Sequence, residues 1–298
     1  MLNGIFLRIA SVALFSAMSA VVHSLSQVPV GQIIFWRSSV ALIPIVIYML
    51  ARGQFPEALR TRRPRAHLVR GVAGGVSMML SFYSLLKLPV ANATALSFLG
   101  PLISLPAAAW LLKETLNRRI VWAALLGFAG VLLMLGSALA APDEGQLAGI
   151  LAGLGFATTM GLVRVQVRDM TRTERAVTIA FYFSVVCTAM GLVTLAFGWV
   201  PVDTKAMMLL AVSGLLGGLA QILATEAAAR VPVSQLAPFD YTAMIWALGL
   251  DAILFSVMPD AMAFVGMAAI VAAGAITVLG SRAIKPKAAP PAPRQPWH

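Results

Sequence analysis

Few residues of this 298-residue chain could do chemistry, and most of those stand inside long apolar runs. Arg37 follows Trp36 in one run, Glu226 precedes Arg230 by four residues in another, and Asp240 sits among Pro238, Phe239 and Tyr241 in a third, with Asp251 further along. A charged side chain at the centre of a membrane helix costs about 2.5–3.5 kcal/mol on insertion scales, so each is a candidate for contact with a polar solute. Arg37 suits a carboxylate or other anion; its alternative is a structural cation bonded to helix-end carbonyls or reaching the interface. Asp240 and Glu226 suit a cationic group or a proton, although Glu226 and Arg230 at this spacing can simply stabilise a helix. A proline beside Asp240 frees backbone carbonyls and bends the segment, which makes it the first choice for solute contact. Tyr83, Tyr241 and Trp246 offer faces for stacking, with interfacial anchoring as the competing role. The expected substrate-binding set is Trp36, Arg37, Tyr83, Ser97, Glu226, Asp240, Tyr241 and Trp246.

Other chemistries lack their residues. There is no glycine loop with a lysine to cradle phosphate and no helical histidine pair with a glutamate, so neither ATP hydrolysis nor a metal site is expected. The single cysteine, Cys187, cannot form an intrachain disulfide and reads as an inert buried thiol. His23 reads as interfacial, and His67 and His298 as incidental. The chain is expected to be no enzyme and to need no cofactor.

The elements that must hold these residues are membrane helices. Hydrophobic residues make up 60% of the chain and charged ones only 11%, with a mean hydropathy of +0.89, which excludes a soluble or disordered chain. Apolar runs long enough to cross a bilayer fall at 5–22, 31–51, 68–86, 91–112, 120–138, 147–163, 176–199, 206–228, 233–257 and 261–280. Loops between them are too short for a soluble catalytic domain. If the N-terminus is cytoplasmic, all of the 22 Lys and Arg residues except Lys87, Lys205 and Arg37 lie on the cytoplasmic side, as the positive-inside rule requires. The charge of +11 therefore reports orientation, not a nucleic-acid partner. The basic 52–67 loop lies beside anionic lipid, and the proline-rich basic tail, 282–298, reads as disordered.

The chain also repeats itself. Gly71, Gly74 and Gly75 recur as Gly214, Gly217 and Gly218, and Lys87-Leu88-Pro89-Val90 recurs as Arg230-Val231-Pro232-Val233, both displaced by 143 residues. More loosely, Phe15 matches Phe156 and Phe35 matches Phe181; at the displacement of 143 residues Tyr83 falls on Glu226 and Ser97 on Asp240. Five spans per copy force the second copy into the membrane upside down, related to the first by a pseudo-two-fold axis in the membrane plane. Two inverted halves, 1–140 and 141–281, can exchange conformations and so open a midplane cavity alternately to either side, which is a transporter's architecture. The paired glycines are expected to form close helix seams.

Phe35-Trp36-Arg37, Pro89-Val90-Ala91, Leu99-Gly100-Pro101, Lys113-Glu114 and Gly127 to Gly130 give the chain a further resemblance. It resembles the drug/metabolite transporter superfamily, EamA type, from residue 5 to 280. Pro238-Phe239-Asp240-Tyr241-Thr242 and the chain length look most like the YddG-type bacterial exporters of aromatic amino acids and some cationic toxicants. The resemblance implies an all-α polytopic membrane protein in the bacterial inner membrane, with ten transmembrane helices around a central cavity and both termini cytoplasmic. It also implies export, with spans three, four, eight and nine lining the cavity. The second copy departs from the pattern where Val257 stands in place of the glutamate equivalent to Glu114. The expected solutes are amino acids with aromatic or apolar side chains, or other amphipathic metabolites. A multidrug or cationic-toxicant exporter is the alternative, and a membrane scaffold or binding protein the non-transport one. The expected partners are that solute and the lipid bilayer; a monomer would suffice.

Overall fold

The computed structural model describes residues 2–99, 118–136, 143–170, 173–230, 239–240, 242–258 and 260–282. Ten α-helices occur among them: α1 (Leu2–His23), α2 (Val30–Ala51), α3 (Pro64–Lys87), α4 (Val90–Ser97), α5 (Arg118–Met134), α6 (Glu144–Met170), α7 (Ala176–Val193), α8 (Thr204–Arg230), α9 (Thr242–Phe255) and α10 (Ala261–Arg282). Tyr241, Pro238, Pro232, Gly100, Pro101, Lys113, Glu114, His298 and most of the basic tail lie outside the described residues.

Five helices, α1, α2, α3, α7 with the 3₁₀ turn after it, and α8, contain stretches long and apolar enough to cross a membrane; α9 and parts of α5 and α10 are shorter apolar helices. Large side chains such as Phe6, Trp122, Phe197 and Ile253 are exposed, an arrangement suited to lipid and costly in water. Two helices run furthest past the expected limits. α3 starts at Pro64, where a proline in the first turn loses no helical hydrogen bond. α6 continues to Met170 because its last turns dock on the start of α3: Gln166 donates to the Ala66 carbonyl at 3.2 Å and Asp169 pairs with Arg63 at 2.8 Å.

Helices from early and late in the chain interleave. α1 packs on α8 and α9, α3 on α6 and α7, α2 on α7 and α8, α4 on α6 and α9, and α5 on α10. Glycines set the closest approaches. A Cβ at Gly71 would lie 2.5 Å from that of Val186 on α7, and one at Gly214 would lie 2.5 Å from that of Val40 on α2. α5 and α10 meet backbone to backbone, with Gly130 and Gly266 each facing the other's carbonyl oxygen. Only residues without side chains permit this contact.

Polar residues tie the same seams. Ser11 on α1 donates to the Ala220 carbonyl of α8 at 2.9 Å. α4 begins after Pro89, which offers no side-chain cap; Asp251 of α9 supplies it, accepting the N–H groups of Val90 at 3.0 Å and Ala91 at 2.7 Å. Asp251 is 2% exposed, so its carboxylate is committed to this cap. His23 meets the Leu85 carbonyl through Nδ1 and the Phe255 ring edge-on.

His67 is far from incidental. It is buried, and its Nε2 lies 3.5 Å from Glu174, also buried, in the connection between α6 and α7. Burial raises the Glu174 pKa, but the Arg62 N–H, the Thr61 hydroxyl and His67 outweigh it and hold the carboxyl below its usual value. Sequence position alone placed His67 outside the spans; the early start of α3 carries it into a packed helix turn.

Candidate functional site

A cavity of about 420 Å³ lies among α1, α2, α3, α4, α6, α7, α8 and α9, with Asp240, two residues before α9, on its wall. That volume is in the range that accepts a small organic solute. Its apolar surface comes from Phe15, Phe82, Phe156, Phe183 and methionines including Met78 and Met160. Its charges among the described residues are Arg8, Arg37, Arg70 and Asp240.

Of the expected site residues, Arg37, Ser97 and Asp240 line this cavity. Asp240 accepts a hydrogen bond from Arg8 Nε at 2.6 Å, an ion pair whose side chains are about one-quarter and one-third exposed. Arg37 is 5% exposed, and its Nε has no hydrogen-bond partner. Ser97 donates to the Thr94 carbonyl at 2.6 Å, which leaves its oxygen able to accept. Ser81 and Gln221 add further polar groups.

Four expected residues lie elsewhere, and Tyr241 falls outside the described residues. Tyr83 does not line the cavity although Ser81 and Phe82 do, because one step along a helix turns the side chain by about 100°; it is partly exposed, with the Lys87 ammonium 6.0 Å from its ring centre. Trp246 is partly exposed on α9. Trp36 packs edge-on against Phe35, with ring centres 5.4 Å apart, and against the core. Glu226 accepts from the Tyr48 hydroxyl and pairs with Arg52 at 3.3 Å, tying α8 to α2.

Two lining residues were assigned only to orientation in the sequence: Arg8 and Arg70. Arg70 lies two turns into α3, its guanidinium 4.5 Å from the centre of the Phe183 ring, a cation–π distance. Nε and Nη1 of Arg70 have no hydrogen-bond partner. The signal that could have found it is Gly74, four residues on and thus on the same helix face, where the absent side chain makes room for the guanidinium.

The EamA-like transporter family matches residues 2–136 and again 147–279. The chain belongs to that family. Similar proteins include the pseudopaline exporter CntI of Pseudomonas aeruginosa, 27% identical over 278 residues that cover 91% of this chain and 94% of the relative. They also include an S-adenosylmethionine uptake transporter of Rickettsia bellii, 26% identical over 230 residues, covering 76% of this chain and 75% of the relative. A crystal structure 22% identical in sequence has the same fold, with a TM-score of 0.71 and coverage of 94% of this chain and 98% of the other. The EamA-like chain is accordingly a multi-pass membrane transporter for a small molecule.

Proposed function

We propose that this chain exports small amphipathic metabolites, amino acids with aromatic or apolar side chains among them, from the bacterial cytoplasm across the inner membrane. It works by alternating access of two inverted five-helix halves, 1–140 and 141–281, with both termini cytoplasmic. Trp36, Tyr83, Glu226 and Trp246 then serve the surrounding helices or the approach to the cavity, while Arg37, Ser97, Asp240 and Tyr241 meet the solute.

The observation that carries this proposal is the cavity's lining. Phe15 with Phe156, Met78 with Gln221, and Ser97 with Asp240 are pairs related by the sequence repeat, and all six line one space. Helix pairing supports the same symmetry: exchanging the first five helices with the last five maps α1–α8 onto α6–α3, α2–α8 onto α7–α3, and α1–α9 onto α6–α4. So does the family match, which occurs once in each half. A solute held where two inverted halves meet is released to the opposite side when the halves exchange shapes. Export is proposed from the pseudopaline exporter's similarity over nearly the whole chain; the uptake transporter covers less of it.

Purified protein in liposomes preloaded with amino acids tests the proposal. Efflux above that of empty vesicles is expected for at least one aromatic or apolar amino acid or a derivative of one. No excess flux across a broad solute panel would remove it. The electrostatics argue against the cationic-toxicant alternative, because among the described residues three arginines and one aspartate line the cavity.

A further inference from the structure

We infer that the preferred solute is a dianion, an amino-acid derivative carrying two carboxylates beside an apolar or aromatic part; this rests on the exporter function proposed above. The charge balance within the cavity carries it. Arg8 already has a carboxylate, Asp240, at 2.6 Å. Arg37 and Arg70 have no salt bridge among the described residues, and three of their donor nitrogens are buried without any hydrogen-bond partner.

The chain has only 11 carboxylate side chains, and among the described residues those inside or beside the helix bundle are used elsewhere. Asp251 caps α4, Glu226 pairs with Arg52, Glu174 with His67 and Asp169 with Arg63. Two guanidinium ions facing an apolar, partly enclosed space are costly unless something with opposite charge enters it. Arg37 is held there although it is 95% withdrawn from solvent, its relative exposure being 5%.

The surroundings keep both cations available. A Cβ at Gly217 would lie 2.9 Å from Arg37 Nε, and one at Gly74 would collide with Arg70 Nη1, so each guanidinium uses the space of a missing side chain. Gly74 and Gly217 are equivalent positions of the two copies. Phe183 supports Arg70 by its ring face, and a ring face leaves the edge N–H groups of the guanidinium open to an acceptor.

Solutes are then ranked by how many guanidinium ions they satisfy. A zwitterionic amino acid has one carboxylate and leaves one arginine unpaired, and its ammonium must compete with Arg8 for Asp240. A cation leaves both unpaired. A dicarboxylate satisfies both through charge-assisted hydrogen bonds, and the phenylalanine and methionine walls take its apolar part.

Four phenylalanine derivatives differing in charge make the test: phenylalanine methyl ester, phenylalanine, N-acetylphenylalanine and N-succinylphenylalanine. Efflux from proteoliposomes and thermal stabilisation of the detergent-solubilised protein are measured for each. The expected order places N-succinylphenylalanine first, ahead of phenylalanine by about tenfold or more, as the loss or gain of one charged hydrogen-bonded pair implies. Arg37→Gln and Arg70→Gln should each remove that advantage, and Arg70→Lys should restore part of it. Should Arg37→Gln fail to insert, Arg70→Gln tests the same point from a less buried position. Phenylalanine or its ester handled as well as N-succinylphenylalanine overturns the dianion while leaving an exporter. Flux and stabilisation by none of the four overturns both.

Discussion

Arg8 and Asp240 meet at 2.6 Å although 232 residues separate them in sequence. Because the pair is partly exposed, it adds little to stability, and its expected importance is in transport. Asp240→Ala should lower efflux of phenylalanine, whose ammonium Asp240 accepts, about tenfold while the melting temperature stays within a few degrees of the parent. A matching loss of folded protein would instead make the pair structural. Glu174 behaves in the opposite way. Its folded-state pKa lies below the ordinary 4.5, so its stabilising contribution is complete above that value and disappears as acidification passes the lower folded value. Glu174→Gln should cost about 1–3 kcal/mol at neutral pH, and the stability gap between variant and parent should close as the pH falls below about 4.5; a gap independent of pH would exclude the ionised latch. The sequence made Arg37 and Asp240 visible because each interrupts an apolar run. Arg70 was hidden by its neighbours: after Arg60, Arg62, Arg63 and Arg65 it reads as one more positive-inside charge. It stands only two residues inside the 68–86 run, and the helix start at Pro64 carries it nearly two turns into the bundle.

The helices owe their contacts to missing side chains and borrowed caps. Gly130→Val should destabilise by roughly 1–3 kcal/mol, since its Cβ would lie 2.6 Å from the Gly266 carbonyl oxygen, which cannot move without shifting α10. Gly249→Ala, with open space around it, is the matched control and should be neutral in the same thermal melt. Asp251→Ala should cost about 1–2 kcal/mol by stripping the first turn of α4 of its cap; an unchanged melting temperature would mean another group takes its place. The glycine seams were legible because they recur in register. The cap was not, since nothing in a linear pattern joins an aspartate on one helix to the backbone of another 160 residues earlier. Tyr83 and Trp246 show the same limit: apolarity on all sides of a membrane helix gives no phase by which to decide which aromatic faces inward.

The molecule's orientation is open to a direct check. With Cys187 replaced by alanine, a cysteine at Gln54 should resist a membrane-impermeant maleimide added to intact cells with a permeable outer membrane, whereas Lys205→Cys should react. Reversed labelling would invert the transporter and turn proposed export into uptake. Both the helical class and the twofold repetition could be read from composition and spacing, because hydropathy and duplicated glycines are local features. The cavity could not, since its wall draws on eight of the described helices.

The interleaving of early and late helices bears on how the protein is made. α1 leaves the ribosome long before α8 and α9, so Ser11 waits for Ala220 and Arg8 for Asp240. During synthesis the leading helix must therefore lodge in the bilayer with a hydroxyl and a guanidinium unclaimed, and it acquires its final neighbours only once the eighth and ninth helices arrive. A nascent chain stalled near its midpoint would display those idle polar groups along the membrane, the feature by which a quality-control protease could tell unfinished molecules from finished ones.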